Sequence, residues 1–343
     1  MDLPSTLDQK LPKLLRFYFC LAQQPSPPGS IFVANRIEGA THMIGLRHHI
    51  HFRLRVLISI FLGLIARFAF GGQDSVSVTE ITPTLLVFST TAGNVVASVG
   101  RDGAFLVGTP PIASTPRISS MLARRTKSPA RYVVIAPQDL AHSEGDAGWG
   151  RRGAFVAMHE NALQRLGGNV MGAPPSLSPR YIKLGVDRPR IAFSEVLAFD
   201  LNGESIHIVH QKPGYSNADS LVHFHVAKLV YMGEVFPGDG YPAIDPAQGG
   251  TLDGLIKTLE PWTDSSFRVV PARGKVTNGA TVKAFLDMIA AVRDRIRPMI
   301  DAGQGESAAL AEHPTADFDA QWGHGRIGPD EFVHEVYSAL RGQ

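Results

Sequence analysis

From residue 76 onward, short apolar runs typical of strands occur in two successive sets, and each set closes with helical sequence. The first set comprises "SVSVTEITPTLLVFST", "NVVASVGRDGAFLVG" and "ARYVVIAP". The second comprises "LAFDLNGESIHIVHQ", "DSLVHFHVAKLVYMGEVF" and "FRVVPARG". Such a chain must bury one face of each sheet, so the pattern predicts a layered α/β architecture with two packed sheets and helices outside.

Turn and capping residues predict where several of these elements begin and end. Gly100 to Gly103 and the pair Asn202-Gly203 are typical of hairpin turns. "TPRISSMLARRT" predicts a helix with Thr115 as N-cap and a proline at its first position. "ENALQRLGG" predicts a short helix, and two longer helices are expected near the C-terminus.

The first 72 residues differ from the rest. A basic stretch, "RHHIHFRLR", precedes the apolar run Val56 to Ala66 and a Gly-Gly pair, which is the order of a secretory signal. The alternative is a buried core helix. Because Met43 stands just before the basic stretch, we expect residues 1–42 to be an extension that is disordered or not native. We expect 43–72 to be the signal peptide and 73–343 an exported domain, periplasmic or extracellular.

Composition narrows the classes of function and partner. The formal net charge is +2, and no Lys/Arg-rich block follows residue 75, so we expect no nucleic-acid partner. The single cysteine, Cys20, excludes a disulfide within one chain and a cysteine-based zinc site in the main domain. The run Val56 to Ala66 is short for a bilayer, and we expect no stable membrane span in the mature protein.

Five segments of the chain resemble, in order, the landmarks of the exported hydrolases of the metallo-β-lactamase superfamily. They are "GNVVASVGRDGAFLVG", "ARYVVIAPQDLAHSEGD", "NGESIHIVHQKPGYSNADSLVHF", "KLVYMGEVF" and "RVVPARG". The second resembles the strand and loop of the His-x-His-x-Asp-His signature. The fourth and fifth resemble the strands that end in Gly-Asp and Gly-His-Gly. The resemblance covers roughly residues 76–340 and implies an αββα sandwich in one domain.

The same resemblance implies where zinc ligands should lie, and most of those positions hold other residues. The implied ligand positions carry Pro137, Asp139, Ala141, His142, Tyr215, Glu234 and Arg273, and the acidic positions after the hairpin carry Gly108 and Thr109. Proline and alanine have no side-chain donor, and arginine is a permanent cation. The sequence therefore predicts that the dinuclear zinc site is lost.

Two interpretations of the remaining residues stay open. In the first, Arg273 bridges Glu234 and Asp139, replaces the charge of the metal, and leaves a pseudoenzyme or small-molecule-binding protein with no cofactor. In the second, Asp139, His142 and Glu234 hold one Zn, Mn or Fe ion, and Tyr215 donates a proton or hydrogen bond. That protein would hydrolyse an ester, lactone, amide or thioester. The histidines of "VHFHV", His223 and His225, share one strand face and are expected to face solvent or pack rather than bind metal.

Overall fold

The computed structural model describes residues 75–108, 113–135, 149–165 and 189–342. All of them belong to the compact unit Gly72–Gln343. The expected extension, 1–42, and the expected signal peptide, 43–72, lie outside the described residues. No helix within the described part of the chain combines the length and apolar character needed to cross a membrane.

The first sheet has seven strands in the described ranges, and their spatial order is their order along the chain. They are β1 (Ser77–Thr82), β2 (Leu85–Ser89), β3 (Asn94–Gly100), β4 (Gly103–Val107), β5 (Ala130–Ile135), β6 (Phe155–His159) and β7 (Ile191–Phe193). Strands β1 to β4 pair antiparallel, and β4 to β7 pair parallel. The carboxyl ends of β4 and β5 therefore lie at the same edge of this sheet.

The second sheet has six strands in the described ranges, ordered β13-β12-β11-β10-β9-β8. They are β8 (Val196–Leu201), β9 (Glu204–His210), β10 (Ser220–Phe224), β11 (Leu229–Gly233), β12 (Arg268–Pro271) and β13 (Thr277–Asn278). Only β11 and β12 pair parallel, so the chain leaves both strands at one edge.

Helices cover the outer faces of both sheets. The described α-helices are α1 (Thr115–Leu122), α2 (Glu160–Arg165), α3 (Leu252–Leu259), α4 (Gly279–Asp301), α5 (Glu306–Ala311), α6 (Asp319–Trp322) and α7 (Pro329–Arg341). Short 3₁₀ turns occur at Pro246–Gln248 and Glu260–Trp262. Residues of α3, α4 and α7 pack on the outer face of the second sheet, and α1 packs on the first.

The buried side chains sort into layers because successive residues of a strand point to opposite faces. In β2, Leu85 and Val87 pack between the sheets, whereas Leu86 and Phe88 pack beneath the helices. The second sheet meets that inner layer with Ile206, Ile208 and other apolar residues. The observed architecture is therefore the expected αββα sandwich.

The expected hairpins are confirmed, and one cap is corrected. β8 and β9 turn at Asn202 and Gly203, whose φ angles of 56° and 82° require residues that tolerate the left-handed region. The N-cap of α1 is Ser114 rather than Thr115, because Thr115 already has helical geometry and Pro116 follows within the first turn.

Candidate functional site

The carboxyl ends of the parallel strands of both sheets meet at one edge of the sandwich. Asn94, at the start of β3, links the two sheets, because its backbone N–H donates to Ala272 O, just after β12, at 2.8 Å. Its side-chain amide donates to Pro271 O and Gly274 O, both at 3.0 Å. On the first sheet, Gly108 follows β4 and donates to Val134 O at 3.0 Å. This edge positions the described residues that follow β4, β11 and β12.

A buried ion pair lies at this edge. Glu234 follows β11 and Arg273 follows β12, so the parallel pairing of these strands brings the two side chains together. Arg273 Nη1 donates to Glu234 Oε1 at 2.6 Å, and Nη2 donates to Oε2 at 3.2 Å. The Glu234 side chain is only 4% exposed and that of Arg273 14%. A fork-to-fork pair of this kind fixes both the position and the plane of the guanidinium.

Two further charged residues extend the pair into a four-membered network. Arg273 Nε donates to Asp239 Oδ2 at 3.0 Å, and Arg326 Nη2 lies 3.5 Å from Glu234 Oε2. Burial lowers the pKa of Arg273, but the hydrogen bonds and charges of Glu234 and Asp239 outweigh that effect and raise it. Two carboxylates face two guanidinium groups, so the network is balanced in charge.

Tyr215 lies in a loop that a buried carboxylate holds in shape. Asp219 accepts hydrogen bonds from the backbone N–H groups of Gly214, Tyr215 and Ser216 at 2.9, 2.7 and 2.9 Å, and from Ser216 Oγ at 3.0 Å. Burial raises the pKa of Asp219 to about 6, although these hydrogen bonds favour the charged form. The loop therefore presents Tyr215 in one defined position.

A cavity of about 510 Å³ opens beside the network. Its lining includes Tyr215, Arg326 and Glu335, with apolar surface from Ile244 and Ile327. Arg326 thus belongs to both the network and the cavity wall. Burial raises the pKa of Glu335 to about 7, and Ile244 N–H donates to its Oε2 at 2.8 Å. The volume is within the usual range for small-molecule sites, roughly 300–1,000 Å³.

The described residues do not fit a zinc ion. Both carboxylate oxygens of Glu234 already accept hydrogen bonds from Arg273, whose permanent charge lies where a ligated ion would have to sit. A zinc–carboxylate bond is about 2.0–2.2 Å long and would place the ion in contact with this guanidinium. Among the residues that the structure describes, no group of three or more His, Cys, Asp or Glu side chains is arranged to hold a metal.

The structure brings together some of the residues singled out by the sequence and leaves others unplaced. Glu234 and Arg273 form the expected pair, and Tyr215 lines the neighbouring cavity. Asp139 and His142 belong to residues 136–148, outside the described ranges, so the Asp139 half of the expected bridge stays a prediction. The sequence did not indicate a role for Asp239 or Arg326. Asp239 follows a Gly-rich turn and Arg326 comes from a segment far along the chain, and neither position has a pattern that points to Glu234.

Comparison with solved structures identifies the class of fold. The chain has the αββα fold of the metallo-β-lactamase superfamily. The metallo-β-lactamase from Pontibacter korlensis matches with a TM-score of 0.51 and 14% identity, over 63% of this chain and 99% of that protein. A double mutant of the sec-alkyl sulfatase PisA1 matches with a TM-score of 0.58 and 15% identity, over 79% of this chain and 54% of the sulfatase. No protein-family model and no curated protein sequence matches the chain significantly. Identities this low establish the shared fold and leave the function to the site.

Proposed function

We propose that this chain is a metallo-β-lactamase-fold protein in which a tethered guanidinium has replaced the metal, leaving a pseudoenzyme that binds a small molecule. The observation that carries the proposal is the two-point contact of Arg273 with the 4% exposed carboxylate of Glu234, at 2.6 and 3.2 Å. A hydrolase of this fold uses its metal to activate water. A guanidinium supplies a positive charge that balances the buried carboxylate, but it has no open coordination position and cannot activate a water molecule as a metal does.

Charge compensation explains why an arginine stands at this position. An ionised carboxylate as buried as Glu234 is costly unless a cation and good hydrogen bonds accompany it. In the related enzymes, the resemblance assigns that role to zinc. Here Arg273 satisfies both oxygens of Glu234 and also reaches Asp239, and Arg326 adds a second cation. Each carboxylate of this network thus contacts at least one guanidinium group.

The adjoining cavity supports a binding function. Tyr215, Asp245, Gln248 and Ser338 offer polar groups, and Ile244 and Ile327 offer apolar surface. Because Arg326 belongs to both cavity and network, a bound ligand would touch the guanidinium–carboxylate centre directly. A small molecule with both apolar and hydrogen-bonding groups suits this lining.

The competing function is a hydrolase with one metal ion at Asp139, His142 and Glu234. It would act on an ester, lactone, amide or thioester. For such an ion to bind, Glu234 must release at least one of its two hydrogen bonds with Arg273, and the guanidinium must leave the centre. The two functions therefore differ in whether Arg273 stays paired with Glu234.

The amount of metal that the purified chain retains distinguishes the metal-free binding protein from the single-metal hydrolase. We would expose the purified chain to zinc, manganese or iron, remove loosely held ions, and measure the metal by inductively coupled plasma mass spectrometry. We expect no retained ion that depends on His142 or Glu234, tested with His142→Gln and Glu234→Gln. About one ion per chain that is lost in both variants would favour the hydrolase alternative and justify a screen of ester, lactone, amide and thioester substrates. Arg273→His is the complementary test: a folded variant that gains zinc indicates that the arginine occupies the position of the metal.

A further inference from the structure

Three histidines lie together on the outer face of the second sheet, apart from the network around Glu234. His207 in β9 and His223 in β10 are cross-strand partners, and His225 comes two residues after His223 on the same face. His225 Nε2 lies 3.0 Å from His207 Nδ1, and the two rings are inclined at 68° with centroids 4.4 Å apart. His225 is exposed and His207 is half-buried, so solvent reaches the pair.

The third histidine packs behind this pair instead of joining it. The ring of His223 lies 3.9 Å from that of His225 and meets Trp262 and Phe267 edge-on at 5.1 and 5.8 Å. Burial and the two neighbouring imidazoles lower the pKa of His223 to about 4. His223 is therefore a neutral packing residue that limits the movement of the His225 ring.

One ring nitrogen of His207 faces one ring nitrogen of His225 at hydrogen-bond distance. Neutral imidazole is the form that binds divalent transition metals. The nitrogens now share one proton in a hydrogen bond. Moving that proton to the other nitrogen of its own ring frees two lone pairs without net release of a proton.

The spacing of the nitrogens indicates which coordination geometry fits. With metal–nitrogen bonds of about 2.05 Å, two ligands at a tetrahedral angle lie about 3.3 Å apart. Two ligands in neighbouring square-planar positions lie about 2.9 Å apart by the same arithmetic. The observed 3.0 Å is closer to the second value. Tetragonal geometry with imidazole ligands is typical of Cu(II), which also binds most strongly among the divalent metals of the first row.

We propose that His207 and His225 form a surface site for a divalent copper ion, bound through His207 Nδ1 and His225 Nε2, with water in the remaining positions. The site needs two protein ligands only. It is independent of the proposed function, because it shares no residue with the network around Glu234.

The test uses the full chain without an affinity tag. His48, His49 and His51 of the N-terminal basic stretch are replaced by Gln in all proteins, because these neighbouring imidazoles would compete for copper. Titration with Cu(II) by calorimetry and electron paramagnetic resonance is compared for this parent protein, His207→Gln, His225→Gln and a control, His313→Asn. The control residue is exposed, and asparagine tolerates its φ of 46°.

We expect the parent and the control to bind one Cu(II) with nitrogen ligands, and each pair variant to bind it at least about tenfold more weakly. Glu234→Gln should leave this binding unchanged, which separates the copper site from the proposed function. Equal affinity in the parent and in His225→Gln would overturn the proposal, as would a parent that binds no copper.

A measurement on the parent protein alone does not depend on whether the variants fold. Substoichiometric Cu(II) should broaden the imidazole resonances of His207 and His225 before those of His313 and His334, and the opposite order would refute the site.

Discussion

Replacing Arg273 with methionine removes the guanidinium and keeps an apolar side chain of similar length. Glu234 then remains 4% exposed, and its nearest cation is Arg326 at 3.5 Å. Removing one partner of a buried ion pair typically costs about 3–5 kcal/mol, because the other charge is left uncompensated. Arg326 offsets part of this loss, so we expect the free energy of unfolding to fall by about 3 kcal/mol.

Urea unfolding followed by tryptophan fluorescence measures this difference, and a solvent-exposed ion pair provides the control. Arg125 contacts Glu80 at 2.9 Å, but the two side chains are 45% and 47% exposed. Arg125→Met should therefore cost less than about 1 kcal/mol. If Arg273→Met destabilises the protein no more than Arg125→Met does, the Glu234 pair contributes nothing and the reasoning is wrong.

A double-mutant cycle tests whether the loss comes from the pair. In Arg273→Met combined with Glu234→Gln, no buried charge is left uncompensated at Glu234. We expect the double variant to be more stable than the sum of the single losses implies, with a coupling energy of about 1–3 kcal/mol. Additive losses would indicate that the two side chains act separately.

Three other outcomes are expected. Burial raises the pKa of Glu335 from 4.5 to about 7, so the folded state binds this proton more tightly than the unfolded state does. The wild type should therefore lose stability relative to Glu335→Gln as pH rises from 4.5 to about 7. The full shift would correspond to roughly 3 kcal/mol, and solvent screening of the partly exposed Glu335 reduces the expected difference in free energy to about 1–2 kcal/mol. Urea titrations across this range measure it, and a pH-independent difference would contradict the expectation. Asp219→Asn should lower the free energy of unfolding by about 2–3 kcal/mol and speed amide hydrogen exchange at Tyr215, because an amide cannot accept all four hydrogen bonds. The control Asp200→Asn, on an exposed strand position, should do neither. N-terminal sequencing of the natively exported protein should begin near Gln73, and a product that retains residues 1–42 would exclude the predicted signal.

The layered fold could be predicted because its determinants are local and periodic. An uninterrupted apolar run such as β2 indicates a strand that is buried on both faces. Asn202-Gly203 supplies the positive φ angles that a tight hairpin needs. His207 and His210 are three residues apart in β9 and therefore point to opposite faces of the sheet. In the structure, His207 contacts His225, whereas His210 stacks on His159 at 3.9 Å. The α1 cap was misplaced by one residue because Ser114 and Thr115 are both good N-cap residues.

The site could be predicted only in part, because most of it is made by contacts distant in sequence. Glu234 and Arg273 were found since each follows a recognisable strand at an edge where the resemblance places ligands. Arg326 joins them through a loop before α7, and no local pattern reports that contact. Asp219 was missed for a different reason: its role depends on burial and on four donors within five residues, which composition does not reveal.

The most direct test of a guanidinium in place of the metal is a crystal structure determined after soaking in zinc, with anomalous scattering recorded at the zinc edge. We expect no anomalous peak at Glu234 and Arg273 still paired with both carboxylate oxygens. A peak about 2.0–2.2 Å from a Glu234 oxygen, with Arg273 turned away and Asp139 or His142 as further ligands, would contradict the proposed function and establish a metal centre.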